Sequence, residues 1–262
     1  LQVVAFDDNV SALAVRSDTS GLFVAFGKRW GELRVESGTT PLTLACYKGD
    51  VAAISDLLQQ GAGVDQEDDD GYTPLFVASL KGHVDAARLL LDAGAAVDKR
   101  REGDWSPFGI ACALGHVDVA TLLVERGADS AAVNTCIGGA PPLLFACRNR
   151  NLGAMQLCLE HGADVNWANE EGATILYQAC ESGGVDAARL LLEKGAEVDR
   201  ADKDGVTPLY IACRKGRVDA ARLLLDNGAE VDRAQEDGET PLEVAQRKGH
   251  AAVVALLEEH QK

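Results

Sequence analysis

Residues 73–95 read TPLFVASLKGHVDAARLLLDAGA, and residues 207–229 read TPLYIACRKGRVDAARLLLDNGA. The two stretches start alike, break at the same glycine and close on the same Gly-Ala. A threonine before proline can cap a helix, and proline at the first helical position gives up no hydrogen bond. Gly82 and Gly94 suit the left-handed residue that follows a helix. Between them Val84, Ala87, Leu90 and Leu91 recur at helical spacing. Each stretch therefore predicts helix, turn, helix, loop.

The pattern runs along the chain. Thr-Pro-Leu recurs at Thr40-Pro41-Leu42 and Thr240-Pro241-Leu242, with looser copies at Ser106-Pro107-Phe108, Pro141-Pro142-Leu143 and Thr174-Ile175-Leu176. The third residues of these triplets are spaced 33, 33, 35, 33, 33 and 33 apart. Three residues later comes an alanine every time: Ala45, Ala78, Ala111, Ala146, Ala179, Ala212 and Ala245. A glycine follows four residues on in six of the seven copies, and Gly-Ala closes six. The seven repeats fall at about 35–67, 68–100, 101–133, 134–168, 169–201, 202–234 and 235–262. One repeat cannot bury its apolar face alone, so neighbours must stack, and the small alanine lets their helices approach closely.

The period and the T-P-L-x-x-A core resemble the ankyrin repeat family. The resemblance implies a mainly α fold, an ankyrin-repeat α-solenoid of stacked helix-turn-helix units whose loops project along one edge. It also implies partner binding through loop tips and the concave helical face. One family feature is missing. The histidine after Thr-Pro-Leu is replaced by Thr43, Phe76, Gly109, Leu144, Tyr177, Tyr210 and Glu243. The hydrogen bonds that histidine makes between loops must be replaced or absent. The last repeat, with Glu243, Gln246, Arg247 and Glu258, is polar enough to serve as a cap.

Residues 1–36 do not follow the repeat and read as a short β-rich segment, leaving 37–262 as the repeat domain. Four strands are expected there, at Val3–Phe6, Val10–Arg16, Leu22–Phe26 and Glu32–Glu36, with turn compositions between them. The segment looks like one WD40-like β-propeller blade. A small meander capping the first repeat is the other reading.

Composition narrows the function. The chain of 262 residues carries 25 Lys+Arg against 41 Asp+Glu, a net charge of −16, which repels nucleic-acid backbones and anionic lipid. No apolar run is long enough for a membrane span, and no signal peptide is visible. The chain opens on Leu1, which suggests processing or excision from something longer. Seven cysteines without a C-x-x-C pair argue against a disulfide framework or a zinc site and fit an intracellular setting, cytoplasmic or nuclear. Five of them follow the repeated alanine and Cys158 takes a leucine slot, so six read as core. Only Cys136, in the Gly-rich insertion 130–141, lies outside that pattern. His83, His116 and His250 share one repeat position and read as helix-start residues. Nothing marks a catalytic set, a cofactor or a metal site.

Partner recognition is the informative part. The residue before Thr-Pro varies: Thr39, Tyr72, Trp105, Ala173, Val206 and Glu239. Tyr72 and Trp105 are expected to project side by side as exposed anchors. Leu80, Lys81 and Leu114 should face the concave side, and Lys99-Arg100-Arg101 forms a basic island nearby. Together these residues suggest a site for an acidic or carboxylate-bearing protein. The expectation is a monomeric, non-catalytic scaffold or adaptor that binds neither nucleic acid nor membrane. The alternative is a regulatory or targeting segment of a larger multidomain protein, an enzyme or a channel. The fourth repeat is expected to be a weak joint, because Arg150 replaces its turn glycine, Cys158 a core leucine, and its first loop is two residues longer.

Overall fold

A computed structural model of the chain describes residues 13–18, 21–26, 29–33, 38–100, 105–136 and 139–261. Its helices come in pairs, as the repeat requires. They are α1 (Pro41–Lys48) with α2 (Val51–Gln59), α3 (Pro74–Lys81) with α4 (Val84–Asp92), and α5 (Pro107–Leu114) with α6 (Val117–Glu125). Next come α7 (Pro142–Arg148) with α8 (Leu152–Glu160), and α9 (Ile175–Ser182) with α10 (Val185–Glu193). The last are α11 (Pro208–Arg214) with α12 (Val218–Asp226), and α13 (Pro241–Lys248) with α14 (Ala251–His260). The fold class is a mainly α solenoid of stacked helix pairs.

The chain divides into two compact units, Leu1–Asn149 with Glu160–Ala163, and Arg150–Leu159 with Asp164–Lys262. In the first, α1, α3, α5 and α7 pack in sequence, and α2, α4 and α6 line up behind them. In the second, α9 packs on α11 and α11 on α13, with α10, α12 and α14 behind. The repeated alanine makes this close approach possible: Ala78, Ala111, Ala146, Ala212 and Ala245 are all fully buried.

The first helices start as the sequence predicts. Thr40, Thr73, Ser106, Thr174, Thr207 and Thr240 each accept the backbone N–H three residues on. Helix α7 lacks this bond, because Pro141 stands in the cap position and has no hydroxyl. The last carbonyls of a helix need outside partners, and the next repeat supplies them. Nε2 of His83, His116 and His250 donates to the carbonyls of Tyr47, Leu80 and Arg214, at 3.3, 3.1 and 3.1 Å. Asn149 reaches Ala113 O and Arg217 reaches Glu181 O in the same way. The three histidines are thus fasteners between repeats.

This fastening explains the turn glycine. Gly82 has φ 73°, and a Cβ on it would lie 2.4 Å from Nδ1 of His116. Arg150 occupies the same slot at φ 55°, the one non-glycine with positive φ among the described residues. The residue of the following repeat that corresponds to His116 is Gly184, so the arginine is spared the steric conflict. It still carries the strain of a left-handed backbone, about 1–2 kcal/mol. The division of the chain into two units falls beside it.

A second fastener joins the closing loops. Asp65 accepts the N–H of Ala96, Asp98 that of Asp129, Asn166 that of Glu197 and Asp199 that of Glu230, all within 3.2 Å. In the loop after α6 the direction reverses, and Asn134 Nδ2 donates to Gly162 O at 2.8 Å.

The N-terminal segment is β-rich, with corrections. β1 (Leu13–Asp18), β2 (Gly21–Phe26) and β3 (Arg29–Leu33) form an antiparallel sheet in the order β1-β2-β3. The expected strand Val3–Phe6 lies outside the described residues. Ser17 and Asp18, assigned by composition to a turn, extend β1 and pair with Leu22 and Gly21. Arg29, Trp30 and Gly31 belong to the ladder too, because Phe26 pairs with Arg29 and β3 starts early.

Candidate partner-binding surface

The structure corrects the expected aromatic anchors. Trp105 is fully buried and Tyr72 is only 8% exposed. The Trp105 indole N–H donates to Thr135 O at 3.0 Å, and its ring meets Phe145 edge-on at 5.1 Å. The ring turns inward because Gly109 leaves it room: a Cβ there would sit 3.2 Å from the Trp105 Cβ. Tyr72 stacks on Phe76 at 5.0 Å, and its N–H is held by the Asp68 carboxylate at 2.8 Å. Both aromatics are therefore core residues, which rules them out as projecting contacts.

The other expected residues are scattered in role. Leu80 is 3% exposed, while Leu114 and Lys81 are half-buried. The Lys81 ammonium lies 4.2 Å over the Tyr47 ring, and burial pulls its pKa below the usual lysine value. Lys99 is spent on the preceding loop, 3.1 Å from Glu67 and 2.9 Å from Asp65 O. Arg100 is exposed and donates to the Thr135 hydroxyl at 3.4 Å. Arg101 lies outside the described residues. A cleft of about 250 Å³ beside Arg100 is also lined by Asp98 and Asp129, so it is mixed in charge rather than cationic.

In each unit basic side chains stand where first helices end. In the first unit Lys48, Lys81 and Arg148 stand in the last turns of α1, α3 and α7. In the second, Arg214 ends α11, Lys215 follows it, and Arg247 and Lys248 end α13. Cations complement the negative end of a helix dipole, but that alone does not place them here. The second helices α2, α4, α6, α8, α10 and α12 have no basic residue in their last turn.

In the second unit these cations are held in place. Burial pushes the Tyr177 pKa up to about 12, and the nearby Arg214 charge acts against that rise. Arg247 grips Glu239 with two bonds, of 2.6 and 2.9 Å, and the Tyr210 hydroxyl donates to the same carboxylate. Arg247 first, and Tyr210 after it, hold the Glu239 carboxyl down to about 2. Lys215 lies 3.2 Å from Glu181. Tyr177 and Tyr210 stand in the slot of the missing family histidine, and the Tyr210 hydroxyl supplies a link to the next repeat. The sequence carried a signal for this row, since Arg214-Lys215 and Arg247-Lys248 are 33 residues apart.

Other chemistry has little to build on. Cys46, Cys112, Cys147, Cys158, Cys180 and Cys213 are buried, and burial pushes the thiols of Cys46, Cys147 and Cys213 up to about 12. Cys136 is exposed. Among the described residues, no group of three or more His, Cys, Asp or Glu side chains is placed to hold a metal ion. No helix among them is long and apolar enough to cross a membrane.

Comparison with known proteins agrees with this architecture. A family model described as "Ankyrin repeats (3 copies)" matches residues 13–101, 42–134, 108–202 and 197–262. The crystal structure of the human ASB11 ankyrin repeat domain is similar, with a TM-score of 0.72 and 29% identity, over 86% of this chain and 99% of that one. The ankyrin repeat domain of Bcl-3, described as a unique member of the IkappaB protein family, gives a TM-score of 0.71 and 26% identity. That match covers 85% of this chain and 100% of the other. No match was found among curated proteins.

Proposed function

The chain belongs to the ankyrin repeat family, and from that premise we propose that it is a non-catalytic scaffold or adaptor that binds a protein partner along its first-helix ends. Ankyrin repeat domains are in general protein–protein interaction modules. The observation that carries the reading is the split between slots. The repeated Thr, Ala and Gly-Ala positions serve internal caps and packing, while the first-helix ends differ from repeat to repeat and keep Lys48, Lys215, Arg247 and Lys248 exposed. A fixed scaffold with a varied exposed row suits recognition.

In this reading residues 1–36 are a separate β-rich segment and 37–262 the binding domain. The chain acts as a monomer inside the cell, in cytoplasm or nucleus, where buried thiols stay reduced. The contact lies on the helix ends in place of the Tyr72 and Trp105 loop tips.

Charge reversal tests it. Wild type and the variants Lys48→Glu/Lys81→Glu and Lys215→Glu/Lys248→Glu would be cross-linked in native lysate, with folding checked by circular dichroism. A defined partner retained by wild type and lost from one variant is the expected result. Retention of every partner by both variants would move the site off this row.

A further inference from the structure

We propose that the α11–α13 end of the second unit binds a short acidic peptide segment in extended conformation, with a carboxylate at every third residue. The inference deepens the scaffold reading and rests on it. Arg214 and Arg247 occupy one slot on adjoining helices, and Lys215 and Lys248 the next slot. Packed helices lie ~8–10 Å apart. An extended polyproline II chain has three residues per turn and rises ~3.1 Å per residue, so every third side chain lies on one face about 9 Å from the last. A carboxylate at every third position therefore meets one helix end after another.

The cations outnumber the carboxylates that hold them. Arg217 donates to a backbone carbonyl. Among the described residues Lys248 has no ion pair. Only Lys215 and Arg247 are matched, by Glu181 and Glu239. The Glu239 contact fixes the Arg247 guanidinium plane before a ligand arrives, so less side-chain entropy is lost on binding. Lys215 and Lys248, both exposed, supply point charges beside the two arginines.

The rest of the protein sets the length of the ligand. With a net charge of −16, a long polyanion such as RNA is repelled outside this patch. A short segment carries its charge only where the patch is. The sign of the whole chain thus favours a peptide over a nucleic acid.

Two fluorescent peptides of identical composition test the proposal by anisotropy with the whole chain. One is four Glu-Gly-Ser triplets; the other has its four glutamates in one block. The spaced peptide should bind about tenfold tighter than the blocked isomer and weaken as salt rises. Lys215→Glu/Lys248→Glu should lose at least that factor, Lys215→Gln/Lys248→Gln somewhat less, and Arg88→Glu, an exposed position on α4, nothing. Equal binding of the two isomers, unchanged binding by the folded Gln variant, or tighter binding of an oligouridine would each overturn it. A cellular partner still retained by Lys215→Glu/Lys248→Glu would leave the scaffold reading standing and sink this one. Loss of the scaffold reading would show instead as no partner retained by wild type, whatever the peptides do.

Discussion

Trp105 and Glu239 occupy the same repeat slot, yet one is a core residue of the first unit and the other an anchor at the surface of the second. The backbone position is equivalent; what differs is which occupant of the missing-histidine slot meets it, Gly109 of the same repeat for Trp105 and Tyr210 of the preceding repeat for Glu239. Gly109 opens a space for an indole in one case. Tyr210 offers a hydroxyl to a carboxylate in the other. The contrast teaches that the side chain in this slot does not decide its own exposure. Its partner slot does, by supplying either volume or a donor.

The comparison can be broken most sharply in the first unit. Trp105→Ala removes a fully buried ring and an indole hydrogen bond, and should cost about 3–5 kcal/mol in urea unfolding. Gly109→Ala should cost about 1–3 kcal/mol by crowding the same ring. A loss below about 1 kcal/mol for Trp105→Ala would show that the ring is not core. Arg150→Gly should go the other way, gaining about 1 kcal/mol by relieving the left-handed backbone. Hydrogen exchange should then slow across 142–158, a stretch expected to open first in wild type. Uniform protection along all seven repeats would refute a weak joint.

Two smaller effects are read through pH. Burial holds His116 below the ordinary histidine value of 6.5. Its contribution is fully present above that value and fades as pH falls through the lowered one. His116→Asn should keep the bond to Leu80, as Asn149 does to Ala113, and flatten the dependence in denaturation curves between neutral and mildly acid pH. Glu239, held down to about 2, contributes above its ordinary 4.5 and loses that contribution as pH falls toward 2. Glu239→Gln should remove this acid step from the melting of the last repeat by lowering neutral stability toward the acid level. Persistence of the step in that variant would assign it to another group.

Much of this was legible in the sequence. Repeat period, helix pairs, caps and buried cysteines all follow from local residue types in phase, and local rules govern them. Arg150 at positive φ was legible too, because its slot demands a left-handed residue. The site was not. Tyr72 and Trp105 were read as exposed from their place in a loop, but burial is a property of pairs. The cue was Gly109, four residues beyond Trp105 and small where other repeats carry bulk. The β strands slipped by a few residues for a similar reason, since strand pairing overrode turn composition at Ser17 and Arg29.

The aspartate that closes each loop has one more consequence. In each clasp from Asp65, Asp98 and Asp199 the acceptor is a side chain of one repeat and the donor is the backbone N–H of the next. Any residue but proline supplies that donor. The requirement therefore travels with a single repeat and imposes no sequence on its successor. A gene encoding such a chain can be lengthened or shortened by whole repeats through unequal recombination, and each new junction arrives with its fastening already encoded.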